Sequence, residues 1–318
     1  MSNARSMLAW GPGFVFLAAV LWATDAPFRS HLTEGLSSSF IVFAEHGVDS
    51  LFAIPILAYF WRDLKNLSLG GWLAVGAIAV GGSALGSVAF TQSFHYVNPS
   101  VAILLQKLQP LIAITLAGFF LGEKLSKRFW LWAALALCGA YLVSFPNLVP
   151  QLYAGEVFNP NTMGVILALA AAVLWGASTV FGKYVLSSIS FQTLTALRFL
   201  GAFVFLGILN VVIEGTPPPF SSVSTTDWIF IGVIALASGV FSLFLYYYGL
   251  QYTRASIATL AELGFPLAAV FVNAYFIPGA WAEGTYFGLF AGQWIGTAVL
   301  LSALYMLSNI NAAGESRA

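Results

Sequence analysis

Residues 18–22 read Ala-Ala-Val-Leu-Trp, and residues 171–175 read the same five, 153 positions further on. A second block matches at an offset of 156: Tyr96, Ser100, Ala102, Leu104, Pro110, Leu111 and Ala113 fall onto Tyr252, Ser256, Ala258, Leu260, Pro266, Leu267 and Ala269. Self-similarity at a fixed period is the mark of an architecture built from repeats. Both blocks lie in apolar runs, so the nature of those runs decides what the repeat means.

Of the 318 residues 59% are hydrophobic and only 8% charged, and the mean hydropathy is +0.88. A water-soluble fold cannot hide that much apolar surface, so the chain is expected to be an integral membrane protein. Lysine plus arginine equals aspartate plus glutamate, which leaves no basic surface for nucleic acid and no charged tail. A hydrocarbon core about 30 Å thick takes about 20 apolar residues of helix. Runs of that kind fall at 12–30, 38–60, 70–93, 98–121, 128–146, 162–184, 190–213, 228–250, 255–278 and 284–308. The first is read as a retained span, because Asp25 and Arg29 stand where a signal peptide would have its small-residue cleavage site.

The expectation is an all-α polytopic protein of ten transmembrane helices. Five spans separate the copies in each matched block. Five is odd, so the second copy crosses the membrane in the opposite sense, giving two inverted five-helix repeats about a pseudo-two-fold axis. The halves are placed at 1–146 and 162–318, with 147–161 as a periplasmic linker. This is a transporter architecture.

Lysine and arginine are retained on the cytoplasmic side. With the N-terminus inside, the inner segments hold Arg5, Arg62, Lys65, Lys124, Lys127, Arg128, Lys183, Arg254 and Arg317, and the outer loops hold only Arg29. An even number of spans then puts both termini in the cytoplasm of a bacterial inner membrane. Trp10, Trp61, Trp72, Trp130, Trp132, Trp228 and Trp281 sit near span ends, as an interfacial aromatic belt requires.

Pro110 and Pro266, equivalent in the two copies, lie near the centres of their spans. Each removes a backbone hydrogen bond, and transporters place substrate sites at such midplane helix breaks. Packing kinks are the competing explanation. Charge at membrane depth marks function, which singles out Asp25, Glu45, Asp49, Lys107, Arg198 and Glu262, with His46 beside them. By helical rise Glu45 and Lys107 lie roughly 10 to 14 Å from the outer ends of their spans, and Arg198 and Glu262 roughly 10 to 12 Å from the inner ends. Glu45 and Arg198 are also repeat equivalents at offset 153. Pairing of Glu45 with Lys107 and of Arg198 with Glu262 is therefore expected, as two gates or coupling groups or as structural pins. Asp25 and Arg29, four apart, read as an ordinary helix-surface ion pair.

Trp22 and Trp175, unlike the belt tryptophans, stand nearly mid-span at equivalent positions, where a pair of indoles can clamp a ring or an ammonium. Core packing is the bland alternative. Gln106 and Gln109 flank Lys107 one turn from Pro110 and add neutral hydrogen-bonding groups. Together these five residues form a candidate substrate site suited to a zwitterion. Gly284, Gly288, Gly292 and Gly296 make a small-residue stripe for a close helix neighbour, from the same chain or a second protomer; a monomer is expected, with a dimer as the alternative. Gly82 and Gly86 form a shorter version.

These residues carry a resemblance. Tyr96-Val-Asn-Pro-Ser-Val-Ala, Lys107-Leu-Gln-Pro-Leu and Leu121-Gly-Glu-Lys-Leu resemble the fourth helix and following turn of the drug/metabolite transporters with paired EamA domains. Within them the chain is most similar to the aromatic amino acid exporters of the YddG type. The resemblance implies alternating-access export or exchange of amino acids, with other metabolites and cationic drugs as alternatives. The second copy has Gly279 where the first has Glu123, which marks that acidic residue as dispensable.

An intramembrane enzyme would need a nucleophile or metal constellation. There is no His-Glu-x-x-His and no Gly-x-Ser-x-Gly, and Gly176 to Lys183 misses the phosphate-loop spacing and its hydroxyl. No enzyme activity, cofactor or metal is expected; the partners are a small-molecule substrate and the lipid bilayer. A passive channel is the remaining non-enzyme alternative. Cys138 stands alone and forms no internal disulfide.

Overall fold

A computed structural model describes residues 2–97, 102, 105–144, 162–214, 220–276 and 291–314. The linker 147–161, the Pro217, Pro218 and Pro219 loop, Trp281, Gly284, Gly288 and part of the fourth span lie outside the described residues. Every regular element among the described residues is helical: α1 (Ser2–Trp22), α2 (Ala26–Leu32), α3 (Ser38–Tyr59), α4 (Leu69–Ser93), α5 (Gln109–Phe120), α6 (Lys127–Ser144), α7 (Thr162–Val185), α8 (Phe191–Glu214), α9 (Thr225–Gln251), α10 (Ala255–Ala261), α11 (Gly264–Phe276) and α12 (Ala291–Gly314). Eight stretches are long and apolar enough to cross a membrane, and Gln109–Phe120 is a shorter apolar helix. The chain is a polytopic, all-helical membrane protein.

The packing obeys the two-fold relation read from the repeat. The second span packs on its own equivalent, the seventh (α3 on α8), and the fifth packs on the tenth (α6 on α12). The first packs on the eighth (α1 on α9) as the sixth packs on the third (α7 on α4). The first also packs on the ninth (α1 on α10 and α11) as the sixth packs on the fourth (α7 on α5). These contacts have their mates under exchange of the halves, and they join one half to the other.

Small residues set the tightest crossing. An added Cβ on Gly139 of α6 would stand 2.7 Å from the Leu300 nitrogen and 2.9 Å from the Gly296 carbonyl oxygen of α12. Gly296 of the expected stripe therefore meets this same chain. Large apolar side chains such as Leu51, Leu73, Val204 and Ile208 point outwards, the normal state where the solvent is lipid. Trp10, Trp61, Trp72 and Trp130 are likewise exposed. Cys138 is exposed rather than packed.

Three features depart from uniform helices. The first span, expected as one run over 12–30, breaks at Ala23–Asp25 and restarts as α2. In α4 residues Ala77–Leu85, and in α9 residues Ala235–Phe241, wind as π-helix. These stretches are repeat equivalents, and such wide turns gather at functional sites because they leave carbonyls turned out of the ladder. The helices around the two prolines stop at Lys107–Leu108 and at Glu262–Leu263, again equivalent positions. Pro110 then stands in the first turn of α5, where its missing N–H costs nothing.

Carboxylates from two turns of the first half cap helices of the second. Gly122, at φ 63°, takes the left-handed position that ends α5 and delivers Glu123 to the start of α10. There Glu123 accepts from the Ala255 N–H (2.8 Å) and the Ser256 N–H (3.2 Å). Arg254, the residue before α10, makes no side-chain cap of its own. Glu123 is thus a structural cap and not the dispensable residue that its loss from the second copy suggested. Asp63 does the same at α8, accepting from the Ser190 N–H (3.1 Å), the Ser190 hydroxyl (2.6 Å) and the Thr193 hydroxyl (2.8 Å). Those hydrogen bonds hold its carboxyl below the usual range.

Candidate functional site

The helix breaks and the π turns border a cavity at membrane depth, lined from α1 by Trp22 and from α7 by Trp175, Ser178 and Thr179. Its volume open to the centre of a water molecule is about 210 Å³, far above what a packing defect holding one water requires. Trp22, Gln106, Lys107, Gln109 and Trp175 all border it, as do Glu45, Arg198, Glu262, Pro110 and Pro266.

Aromatic pairs form two symmetry-related walls. Trp22 lies against Tyr246 with ring centroids 5.2 Å apart, and Trp175 lies against Phe90 at 5.1 Å. Phe90 and Tyr246 are equivalents at offset 156, so the two pairs are one feature built twice. Trp175 is fixed further by donating its indole N–H to the Gly82 carbonyl of the π turn (2.9 Å), with Gly86 leaving the room for its ring. The walls differ in chemistry because Tyr246 carries a hydroxyl that Phe90 lacks.

That hydroxyl belongs to a cluster around Glu262. Gln109 Nε2 (2.5 Å), Tyr246 OH (3.0 Å) and Thr179 Oγ1 (3.2 Å) stand at hydrogen-bond distance from the carboxyl, and the two hydroxyl oxygens lie 2.7 Å apart, so their two hydrogens are shared among these contacts. Three neutral donors therefore satisfy it, and its expected pairing with Arg198 is not formed: no ion pair joins them. Arg198 instead donates to the Tyr247 hydroxyl (2.9 Å) and to Ser83.

The second expected pair is also replaced. Glu45 is held by Arg29, which donates from Nη2 to Oε2 (3.1 Å) and sets Nη1 3.0 Å from Oε1 as an ion-pair contact. Arg29 also holds Asp25 at 3.0 Å and is only 8% exposed, so the Asp25 and Arg29 pair is buried and not a helix-surface pair. The break after Trp22 swings α2 inward and makes this possible. Lys107 donates to Ser144 of α6 and makes no ion pair with Glu45. His46 sets its Nδ1 against the Val42 carbonyl at 2.9 Å. Among the described residues no group of His, Cys, Asp or Glu could hold a metal ion.

Sequence reasoning had singled out most charged members of this wall with Trp22, Gln106, Gln109 and Trp175, and missed Ser83, Phe90, Thr179 and Tyr246, along with Tyr247, which holds Arg198. Projecting Trp22 and its neighbours through the repeat offset would have flagged Phe90 and Tyr246 as a pair.

A polytopic helical protein whose inverted halves enclose a polar and aromatic cavity at membrane depth has the build of a secondary transporter. The chain belongs to the EamA-like transporter family, whose model matches residues 9–145 and 162–309. It is 32% identical to the riboflavin transporter ImpX of Fusobacterium nucleatum over 277 residues, 85% of this chain and 90% of that one. It is 28% identical to the uncharacterized inner membrane transporter YedA of Escherichia coli over 137 residues, 42% of this chain and 44% of that one. A protein known from its crystal structure shares the fold with a TM-score of 0.68 at 15% identity, over 95% of this chain and 98% of that one. These relatives support a transporter of small metabolites and give the amino-acid expectation no support.

Proposed function

We propose that this transporter carries a flat, heteroaromatic metabolite with a hydrogen-bonding periphery by alternating access, with riboflavin as the first compound to test. The observation that carries this reading is the pair of symmetric aromatic walls, Trp22 with Tyr246 and Trp175 with Phe90, around a cavity of hydrogen-bonding groups. Offset stacking on such faces favours a fused ring, and Gln106, Lys107 and Gln109 supply donors for hydroxyls or ring carbonyls. The name of the Fusobacterium nucleatum relative points the same way. Glu45 (through Arg29), Lys107, Arg198 and Glu262 then serve gating or coupling, and the breaks before Pro110 and Pro266, one in each of the halves 1–146 and 162–318 that the linker 147–161 joins, act as hinges. The lysine and arginine bias supports an inner-membrane protein with both termini in the cytoplasm.

Export or exchange of an aromatic amino acid is the second reading, favoured by acidic and basic side chains on one cavity wall, which suit a zwitterion. Counterflow decides between them. Proteoliposomes preloaded with unlabelled riboflavin should transiently accumulate labelled riboflavin, and tryptophan or phenylalanine should not compete. Competition by the amino acids with no riboflavin counterflow would reverse the assignment. Failure of both, with folded protein, would send the search to other metabolites.

A further inference from the structure

Four carboxylates border the cavity, Asp25, Glu45, Asp49 and Glu262, against three basic side chains, Arg29, Lys107 and Arg198. Asp25 and Glu45 share Arg29, and Glu262 has its three neutral donors. Asp49 differs. It is 2% exposed, and its Oδ1 has no hydrogen-bond partner among the described residues. The residue opposite is Gly239 in the π turn of α9, where an added Cβ would stand 3.0 Å from Asp49 Cγ. The carboxyl thus occupies a niche shaped for it at the cavity wall, and among the described residues no basic side chain forms an ion pair with it.

The surroundings leave one way to hold it. From its own helix come Glu45, one turn away, and His46, whose Nδ1 is committed to Val42. The turn before α2 and α2 itself bring Asp25 and Arg29, already joined to each other and to Glu45. From α8 comes Arg198, engaged with Tyr247 and Ser83. The part of α4 at the cavity offers Ser83, Ser87 and Thr91, which carry no charge, and the π turn of α9 offers Ser238 and Gly239. The acid of α9, Asp227, lies beside His31. A buried carboxylate without a partner is costly, and protonation removes the cost.

We propose that Asp49 is the proton-carrying group of the transport cycle, holding a proton in the conformation seen here and giving it up when Arg198 leaves Tyr247 and turns to it. This rests on the chain being a carrier and adds what drives it. The group that binds is a single proton, and the exchange of Arg198 between Tyr247 and Asp49 links its release to movement of α8 against α9.

Infrared spectroscopy of the lipid-reconstituted protein with ¹³C-labelled aspartate tests the protonation without any substrate. The expected result is a protonated-carboxyl C=O band at neutral pH, shifted in D₂O, absent in Asp49→Asn and regained in Asp49→Glu when that variant is labelled on glutamate instead. A missing band in folded wild type, or the same band in Asp49→Asn, overturns the proposal. Loss of the band on replacing choline by Na⁺ also overturns it and assigns the site to a metal cation. In proteoliposomes with the membrane potential clamped, one proton per substrate gives roughly tenfold accumulation per tenfold proton gradient. Wild-type accumulation of riboflavin that ignores the gradient overturns the coupling. Absence of any riboflavin movement sinks the substrate reading alone, since the infrared band still decides Asp49.

Discussion

Replacing Tyr246 with phenylalanine removes one hydroxyl from the Glu262 cluster and leaves the ring against Trp22. The lost oxygen stands 3.0 Å from Glu262 Oε1 and 2.7 Å from Thr179 Oγ1. Thr179 keeps Glu262 at 3.2 Å and the Trp175 carbonyl at 3.3 Å as acceptors, so the cost falls on the carboxyl group. A hydrogen bond to a charged group contributes about 1.5–3 kcal/mol net. Two donors, Gln109 and Thr179, survive, which puts Tyr246→Phe near the lower bound, about 1.5 kcal/mol or roughly tenfold in the folded-to-unfolded ratio. Glu262→Gln should also destabilise, but the double variant should cost less than the sum, with a coupling of about 1 kcal/mol. Equilibrium unfolding of the four proteins in mixed micelles measures it. Additivity to within about 0.3–0.5 kcal/mol would show that the hydroxyl and the carboxyl act independently and refute the cluster.

Asp63→Ala should cost about 1 kcal/mol at neutral pH through loss of a helix cap. Because hydrogen bonds depress the Asp63 carboxyl in the fold, that stabilisation is fully present above the ordinary carboxylate value and is lost as pH falls from there through the depressed value. Thermal unfolding of both proteins across acidic pH should show the gap closing, and a gap unchanged by pH would contradict the cap. Gly139→Ala should destabilise by about 1–3 kcal/mol, because the atoms it meets are backbone of α12. Gly76→Ala, with nothing within 4 Å of the new methyl, should instead gain about 1 kcal/mol, and equal effects from the two in a melting assay would count against the crossing. Lys107→Ala and Trp175→Ala should each lower counterflow at least about tenfold, and wild-type rates in either would remove that residue from the site.

The architecture was legible because it is written in patterns a linear reading can see. Apolar runs of membrane length gave the spans, and five identical residues at 18–22 and 171–175 gave the inverted repeat. Buried charge and paired prolines, being costly in lipid, led to the cavity wall. What escaped depends on long-range geometry. Arg29 reaches Glu45 only because α1 breaks after Trp22, and no helical periodicity announces that break. Arg198 chooses Tyr247 and Ser83 over Glu262 because α9 and α4 happen to present hydroxyls at its depth, and hydroxyls in apolar helices carry no signature. The π turns left only a trace, Gly81-Gly82-Ser83 and Ser238-Gly239, and Glu123 was misjudged because its role lies in a helix start 132 residues away.

Two identical halves related by a two-fold axis would have states open to either side at equal energy, the exchange of halves turning one into the other. The caps from Asp63 and Glu123 break that degeneracy. Both run from a turn of the first half to a helix of the second, at the end rich in lysine and arginine, and the equivalent positions at the other end are Thr216 and Gly279. Opening at the basic end gives these hydrogen bonds up. At about 1 kcal/mol per cap they favour the state shut at the basic end, whose cavity is turned the other way.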